Sequence, residues 1–360
     1  MAAEFRAINS FGRSMKALLL SKYRQLELAD LPIPVPAAGE VLIRVAACGI
    51  CGSDVHGYDG SSGRRIPPIV MGHEAAGVVA SVGPGVENVR EGDRVTFDST
   101  VYCGACACCK RGDVNLCDNR QVLGVSCGDY RRAGAFAEFV AVPSRILYKL
   151  PENLSYAEAA MLEAVAVAIH AVSLGAPEKG STALVLGAGT IGLLVQQALR
   201  AAGCSRVIVT DVDATRLKLS ASLGATFVLP SGAELQNQLA ELTGGVGVDI
   251  AIEAVGNTAA VNAAIDSARK GGSVVLVGNT SPQVELPLQK VVSRQIRLQG
   301  SCASAGEYPK AIELMSNGAI RVTPLITAIA PLEEGPQWFD RLHAREPNLM
   351  KVVLTPGGNL

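Results

Sequence analysis

The sequence predicts an α/β protein of two domains, one β-rich and one built on a doubly wound parallel sheet. Three observations predict it. A chain of 360 residues is long for one core. Its first third is broken by Gly and Pro into short β-type runs, and from about Ser181 strand-like and helix-like segments alternate. With 49% hydrophobic and 18% charged residues, the composition permits large cores and argues against disorder.

The elements follow in order. "EVLIRVAACGI", "AAGVVASVG", "GDRVTFDS" and "FAEFVAVP" combine alternation with turn residues and read as strands of a mainly antiparallel barrel or sandwich. "LSYAEAAMLEAVAVAIHAVSLG" is alanine-rich and lacks Gly and Pro until its end, which predicts one or two buried helices. "TALVLGAG" is a continuous apolar strand, followed by the helix "TIGLLVQQALRAAG", the strand "RVIVTD" and the helix "ATRLKLSASLG". "ATFVL", "GAELQNQLAELTGG", "VDIAIEAVG", "TAAVNAAIDSARKGG" and "SVVLVGN" continue the alternation of a parallel sheet. "YPKAIELMSNGAI" reads as a helix ended by Gly318.

With 32 basic and 33 acidic residues the formal charge is -1, which gives no electrostatic reason to expect nucleic acid or an anionic membrane as partner. Lys110-Arg111 beside the cysteines is the only support for a nucleic-acid-binding zinc protein. No apolar run approaches the roughly 20 residues of a membrane span. The apolar stretch "ALLL" near the start is too short for a secretory signal. "MKALLL" at Met15 resembles a second natural start, so residues 1–14 are expected to be a disordered extension. The expected location is cytoplasmic and reducing, where clustered cysteines favour metal over disulfides.

Gly187-Ala188-Gly189-Thr190-Ile191-Gly192 lies between an apolar strand and a helix. In that context Gly187 allows a tight turn, Gly189 lets a pyrophosphate approach the backbone, and Gly192 allows close helix–strand packing. Asp211 ends the next strand; its carboxylate suits a ribose diol and would repel a 2′-phosphate, which points to NAD. Val277, Gly278 and Asn279 end a later strand, where the nicotinamide is expected, and Arg216 completes the candidate cofactor set.

Five of the ten cysteines fall in "VYCGACACCKRGDVNLC". Cys103, Cys106, Cys109 and Cys117 have the spacing C-x2-C-x2-C-x7-C, which suits four thiolates closing a tetrahedral shell around a structural zinc. Ferredoxin-type runs share the start but continue with a shorter gap and a proline, absent here. Cys108 is surplus. A second set is Cys51, Ser53, Asp54 and His56 in "CGICGSDVHGYDG", then His73-Glu74, then Glu163. One thiolate, one imidazole and one carboxylate would hold a zinc with a position open for an alcohol oxygen, as hydride transfer from a carbinol carbon requires. His170 and His343 read as packing or surface histidines, and Arg64-Arg65 as a solvated loop pair, with phosphate binding as the alternative.

These motifs resemble the zinc-dependent medium-chain dehydrogenases, and among them the sorbitol (polyol) branch. The resemblance is carried by "CGICGSDVHG", "GHEAAGVV", "GDRV", the four-cysteine lobe, "LPENLSYAEAAMLE", "GAGTIGLL" and "VTDVDATRL", and spans nearly all of residues 15–355. It implies a GroES-like catalytic domain over 15–166 and 303–360, carrying the zinc lobe near 100–120, with a Rossmann domain over 167–302 inserted. It implies catalytic zinc at Cys51 and His73 with Glu74 in the polyol-type shell, and Glu163 where typical alcohol dehydrogenases carry a second cysteine; which carboxylate binds is left open. It further implies a proton relay through Ser53 and His56, Asp54 as partner of the zinc histidine, two zinc ions per chain, NAD, a small alcohol substrate and a homo-oligomer, dimer or tetramer. The family's sorbitol enzymes carry Phe-Arg-Tyr after "GS"; here Gly300-Ser301 continues Cys302-Ala303-Ser304, so the expected substrate is another polyol, cyclitol or phosphorylated sugar alcohol. The alternatives are a threonine- or butanediol-type dehydrogenase on the same scaffold and a non-catalytic NAD- and zinc-binding sensor.

Overall fold

The computed structural model describes residues 14–357; apart from Ser14, the expectation for residues 1–14 lies outside them. The chain divides into two compact units, one of residues up to Glu163 together with those from Ile326 on, the other Ala164–Leu325.

The first unit is organised on strand Glu40–Gly49, whose "EVLIRVAACG" is buried along most of its length because neighbours cover both sides. Glu74–Val82 and Phe139–Pro143 pair with it antiparallel. Lys351–Thr355, from the far end of the sequence, pairs antiparallel with its last residues, setting Val353 opposite Gly49 and Leu354 opposite Cys48. The seven-stranded sheet is antiparallel except where Ile326–Pro331 runs parallel to Lys351–Thr355. Ile43, Val45, Phe97, Phe136 and Phe339 fill the core, with the rings of Phe136 and Phe339 edge-to-face at 5.6 Å. Each such side chain contributes about 1.5–3 kcal/mol by leaving water. The β-rich, mainly antiparallel expectation holds, and both ends of the chain build this unit.

The second unit is a six-stranded sheet, parallel throughout, in the spatial order Phe227–Pro230, Arg206–Asp211, Thr182–Leu186, Val248–Glu253, Ala268–Leu276, Arg297–Gly300. That is the doubly wound order, and Thr182–Leu186 at its centre is buried at every residue, which is why "TALVL" has no alternation. The order reverses between Thr182–Leu186 and Val248–Glu253, so a crevice for ligand opens at their carboxyl ends. The alanine-rich stretch forms two helices, Tyr156–Ala159 and Leu162–Gly175.

Residues 303–325 group with the parallel-sheet unit, whereas the sequence reading placed everything from 303 in the other domain. The physical reason is a docking contact that sequence order hides. Tyr308, opening helix Tyr308–Ser316, is fully buried, and the Gln197 side chain is locked to the backbone of Arg321. Gln197 Nε2 donates to the Arg321 carbonyl at 3.1 Å, and the Arg321 N–H donates to Gln197 Oε1 at 2.8 Å. Among the described residues no helix is long and apolar enough to cross a membrane.

Gln197→Ala should leave both backbone groups of Arg321 without these partners and lower stability by about 2–4 kcal/mol. Urea unfolding should show a lower midpoint at unchanged slope; a midpoint equal to wild type would remove this contact from the account.

Candidate active site

The turn after Thr182–Leu186 is shaped by its glycines. Gly187 has φ +96°, and a Cβ there would lie 2.7 Å from Val255 Cγ2. A Cβ on Gly192 would fall 1.8 Å from the Gly187 carbonyl oxygen, so helix Thr190–Ala201 seats against the turn only with glycine. A Cβ on Gly189 would meet nothing within 4 Å. Gly189 is also the N-cap and offers no side chain to the first-turn N–H groups at Thr190 and Ile191. Open space before uncapped helix N–H groups is what a pyrophosphate needs, so the residues present fit a dinucleotide.

Asp211 is buried beside this turn. Its Oδ2 accepts from the Ala188 N–H at 2.6 Å and its Oδ1 from the Asp213 N–H at 2.9 Å, so the carboxylate is held over the glycine turn. Arg216 lies on the helix that Asp213 caps, its Nε 3.8 Å from Asp213 Oδ2 and both side chains half-exposed. Val277, Gly278 and Asn279 follow strand Ala268–Leu276. The N–H groups of Val277 and Gly278 donate to the Glu253 carbonyl, and a Cβ on Gly278 would lie 2.1 Å from the Gly256 nitrogen, so backbone packing alone requires glycine there. Glu253, which the sequence reading passed over, is fully buried; Oε1 accepts from Val255 and Gly256 at 2.6 and 2.7 Å. Burial pushes its carboxyl up against the pull of those two N–H groups.

The four cysteines converge. The sulfurs of Cys103, Cys106, Cys109 and Cys117 lie within 4.8 Å of one another. Cys106–Cys109 is 3.5 Å, Cys106–Cys117 3.9 Å and Cys103–Cys109 4.0 Å. Tetrahedral thiolates on zinc would be about 3.8 Å apart, so the set fits that ion. The N–H groups of Ala105 and Cys106 hold the Cys103 thiol down to about 6, while burial and its thiol neighbours push Cys109 up to about 12. Four thiolates cannot share this space without a cation. Cys108 is outside the group; Arg111 Nη2 donates to its sulfur at 3.5 Å.

A second convergence joins Cys51, His73 and Glu74, whose ligand atoms also lie within 4.8 Å of one another. Cys51 caps helix Gly52–Tyr58, and His73-Glu74 opens strand Glu74–Val82. Asp54, fully buried, accepts from the Cys51 N–H through Oδ2 at 3.1 Å and faces His73 Nδ1 through Oδ1 at 3.3 Å. A carboxylate on Nδ1 keeps the proton there and leaves the Nε2 lone pair for a metal. Burial pushes Asp54 up, but His73 and Arg65 outweigh it and hold the carboxyl at about 2. Ser53 Oγ lies 3.5 Å from His73 Nε2, and His56 is exposed on the same short helix with Nδ1 3.2 Å from Ser61 Oγ. A cysteine sulfur, an imidazole nitrogen and a carboxylate are a donor set that fits zinc.

Glu163, half-buried in the first turn of helix Leu162–Gly175, is outside the three-residue group. Burial pushes its carboxyl up to about 7; His73 opposes this and Glu74 adds to it. Two further residues escaped the sequence reading. Lys351, 3% exposed, donates through Nζ to Glu74 Oε2 at 2.5 Å and to the Ile50 carbonyl at 3.1 Å. Arg65 is not a solvated loop residue like the exposed Arg64: it is 5% exposed and pairs with Asp54 at 3.3 Å. Neither has a local signal: Lys351 is a single cation in a short strand, and in sequence Arg65 is indistinguishable from its exposed neighbour Arg64. His170 is buried with Nδ1 2.7 Å from Glu307 Oε1, and His343 Nε2 lies 3.3 Å from Asp59 Oδ2.

Comparison with known proteins agrees with this architecture. Residues 37–152 match the alcohol dehydrogenase GroES-like domain, and residues 190–317 the zinc-binding dehydrogenase domain. The chain belongs to the zinc-dependent medium-chain dehydrogenase superfamily, in its sorbitol dehydrogenase-like branch. It is 35% identical over 350 residues to the sorbitol dehydrogenase of Bacillus subtilis (strain 168), covering 96% of this chain and 98% of that one. It is 37% identical over 339 residues to the D-arabitol-phosphate dehydrogenase of Enterococcus avium, covering 92% and 94%. A crystal structure of a zinc-binding dehydrogenase from Sinorhizobium meliloti 1021 bound to NADP superposes with a TM-score of 0.87 at 32% identity, over 96% of this chain and 100% of that one.

Cys103→Ser should lose one zinc per chain and more than about 4 kcal/mol of stability, because a closed metal site contributes folding energy. Cys108→Ser should keep the full metal content and wild-type stability, since its sulfur meets Arg111 instead. Metal analysis with thermal melts checks both, and equal losses in the two variants would overturn the assignment of ligands.

Proposed function

We propose that the protein oxidises a secondary alcohol of a polyol, cyclitol or phosphorylated sugar alcohol to the ketone, with NAD as hydride acceptor. The observation that carries the reading is the convergence of Cys51, His73 and Glu74 within 4.8 Å, with Ser53 beside His73 and His56 exposed one helical turn on. A sensor that only bound nucleotide would have no use for a relay pair beside a three-ligand site. The relatives named for sorbitol and D-arabitol phosphate support the polyol class. The absence of Phe-Arg-Tyr after Gly300-Ser301 argues for a substrate other than sorbitol.

Cys51, His73 and Glu74 would hold a zinc ion, which supplies Lewis-acid polarisation of the alcohol oxygen; Glu163 stands by as a further carboxylate. Asp54 keeps the His73 proton on Nδ1. Ser53 Oγ accepts the hydroxyl proton as it gives up its own, and the released proton reaches water by way of His56 at the surface. The carbinol C–H electron pair leaves as hydride, the O–H proton leaves to solvent, and the carbon becomes a ketone. Gly187, Gly189 and Gly192 leave the room the dinucleotide needs, and Asp211 excludes a 2′-phosphate by repulsion.

A panel of polyols, cyclitols and phosphorylated alcohols should reveal a substrate that reduces NAD, with kcat/KM at least about 100-fold higher for NAD than for NADP. The Sinorhizobium relative holds NADP, so equal efficiency with both is the outcome that would overturn the role given to Asp211.

His56→Ala should lower kcat by about 10–100-fold near neutral pH. The deficit should shrink as pH rises, because hydroxide then takes the proton directly. A pH–rate profile parallel to wild type throughout would remove His56 from the relay.

A further inference from the structure

Arg65 is a buried cation that the reaction described above does not use. We propose that Arg65 is a positioning residue: its guanidinium fixes Asp54 against the zinc histidine and Ser53 beside it, so that the ligand and the first proton acceptor are set by one group. The proposal rests on the reading of Cys51, His73 and Glu74 as a zinc site.

The geometry is specific. Arg65 Nη2 donates to Asp54 Oδ1 at 3.3 Å and to Ser53 Oγ at 3.4 Å. The same Asp54 oxygen lies 3.3 Å from His73 Nδ1, and Ser53 Oγ lies 3.5 Å from His73 Nε2. One nitrogen of Arg65 therefore touches both groups that face the two sides of the His73 ring. Nη1 donates to the Arg64 carbonyl at 3.3 Å, and Nε is buried with no hydrogen-bond partner among the described residues. The side chain reaches the site by crossing helix Gly52–Tyr58 at Gly57, where a Cβ would fall 2.1 Å from Arg65 Cγ. The backbone is pinned from the other side: the Ile66 N–H donates to the Ser126 carbonyl at 3.0 Å and the Ser126 N–H to the Arg64 carbonyl at 3.2 Å.

Burying a guanidinium costs free energy, and an apolar replacement of similar volume is often neutral or stabilising. A buried arginine that leaves one nitrogen unpaired is a poor device for stability. It is a good one for orientation, because the planar fork is always protonated and presents several donors at fixed angles. Lysine would bring one charge and no fork. Groups that orient a metal ligand typically govern metal retention by 10–100-fold.

The test uses the holoenzyme and a chromophoric chelator in excess, following release of the two metals over time. In wild type the Cys51 site should empty first and the four-cysteine site slowly. Arg65→Met should speed the first release by about 10–100-fold and leave the second unchanged. Arg65→Lys should fall between. In an Asp54→Asn background, adding Arg65→Met should bring no further acceleration, which a merely structural arginine would not produce. Wild-type release from the first site in Arg65→Met, or equal acceleration of both sites, overturns the proposal. Should Arg65→Met fail to fold, Arg65→Lys decides, and a wild-type release rate there overturns it. The reading of the site fails separately, by a wild-type protein that holds metal only at the four cysteines.

Discussion

The buried carboxylate of Asp54 is the constraint on which the reactive half of the molecule depends. One of its oxygens accepts from the Cys51 N–H and so fixes the start of helix Gly52–Tyr58. The other faces His73 Nδ1 and Arg65. A fully buried charge is tolerable only when paired and hydrogen-bonded, and satisfying Asp54 draws a helix terminus, a strand entrance and a loop to one point. Cys51 and His73 are brought together by that requirement, and with Glu74 they form the candidate metal site.

Glu74 repeats the logic with a partner from the other end of the chain. Its carboxylate is buried against Gly49, where a Cβ would fall 2.4 Å from Oε2, and its charge is met by Lys351 on the strand paired with the end of Glu40–Gly49. The pairing of Val353 with Gly49 sets the register that delivers Lys351 there. Breaking a buried pair of this kind costs about 3–5 kcal/mol, because the remaining charge is left uncompensated. Strand Lys351–Thr355 thus contributes to the candidate site without contributing a candidate ligand.

The nucleotide unit solves a different problem with backbone rather than charge. Gly192 is excluded from carrying a side chain by the Gly187 carbonyl, and Gly278 by the Gly256 nitrogen. A Cβ built on Gly189 meets nothing within 4 Å, so the space in front of it is open. Asp211 is then held over that space by the N–H groups of Ala188 and Asp213.

The sequence by itself determined what depends on neighbours along the chain. The glycine turn, the apolar strand before it and the four-cysteine spacing are local. The alternation of strand and helix likewise fixed the parallel sheet, because a fully buried strand must be apolar throughout. Tertiary structure alone decided what depends on distant partners. The conversion of Arg65 from an expected surface residue into a buried one came from Asp54 and Gly57 packing against it. The joining of Lys351 to Glu74 came from strand register across the whole sequence. The transfer of residues 303–325 to the parallel-sheet unit came from Gln197 meeting Arg321. A lone Lys, Arg or Gln carries no periodicity and no motif; its role exists only once burial makes an unpaired charge or an unbonded amide costly, and burial is a property of the folded chain.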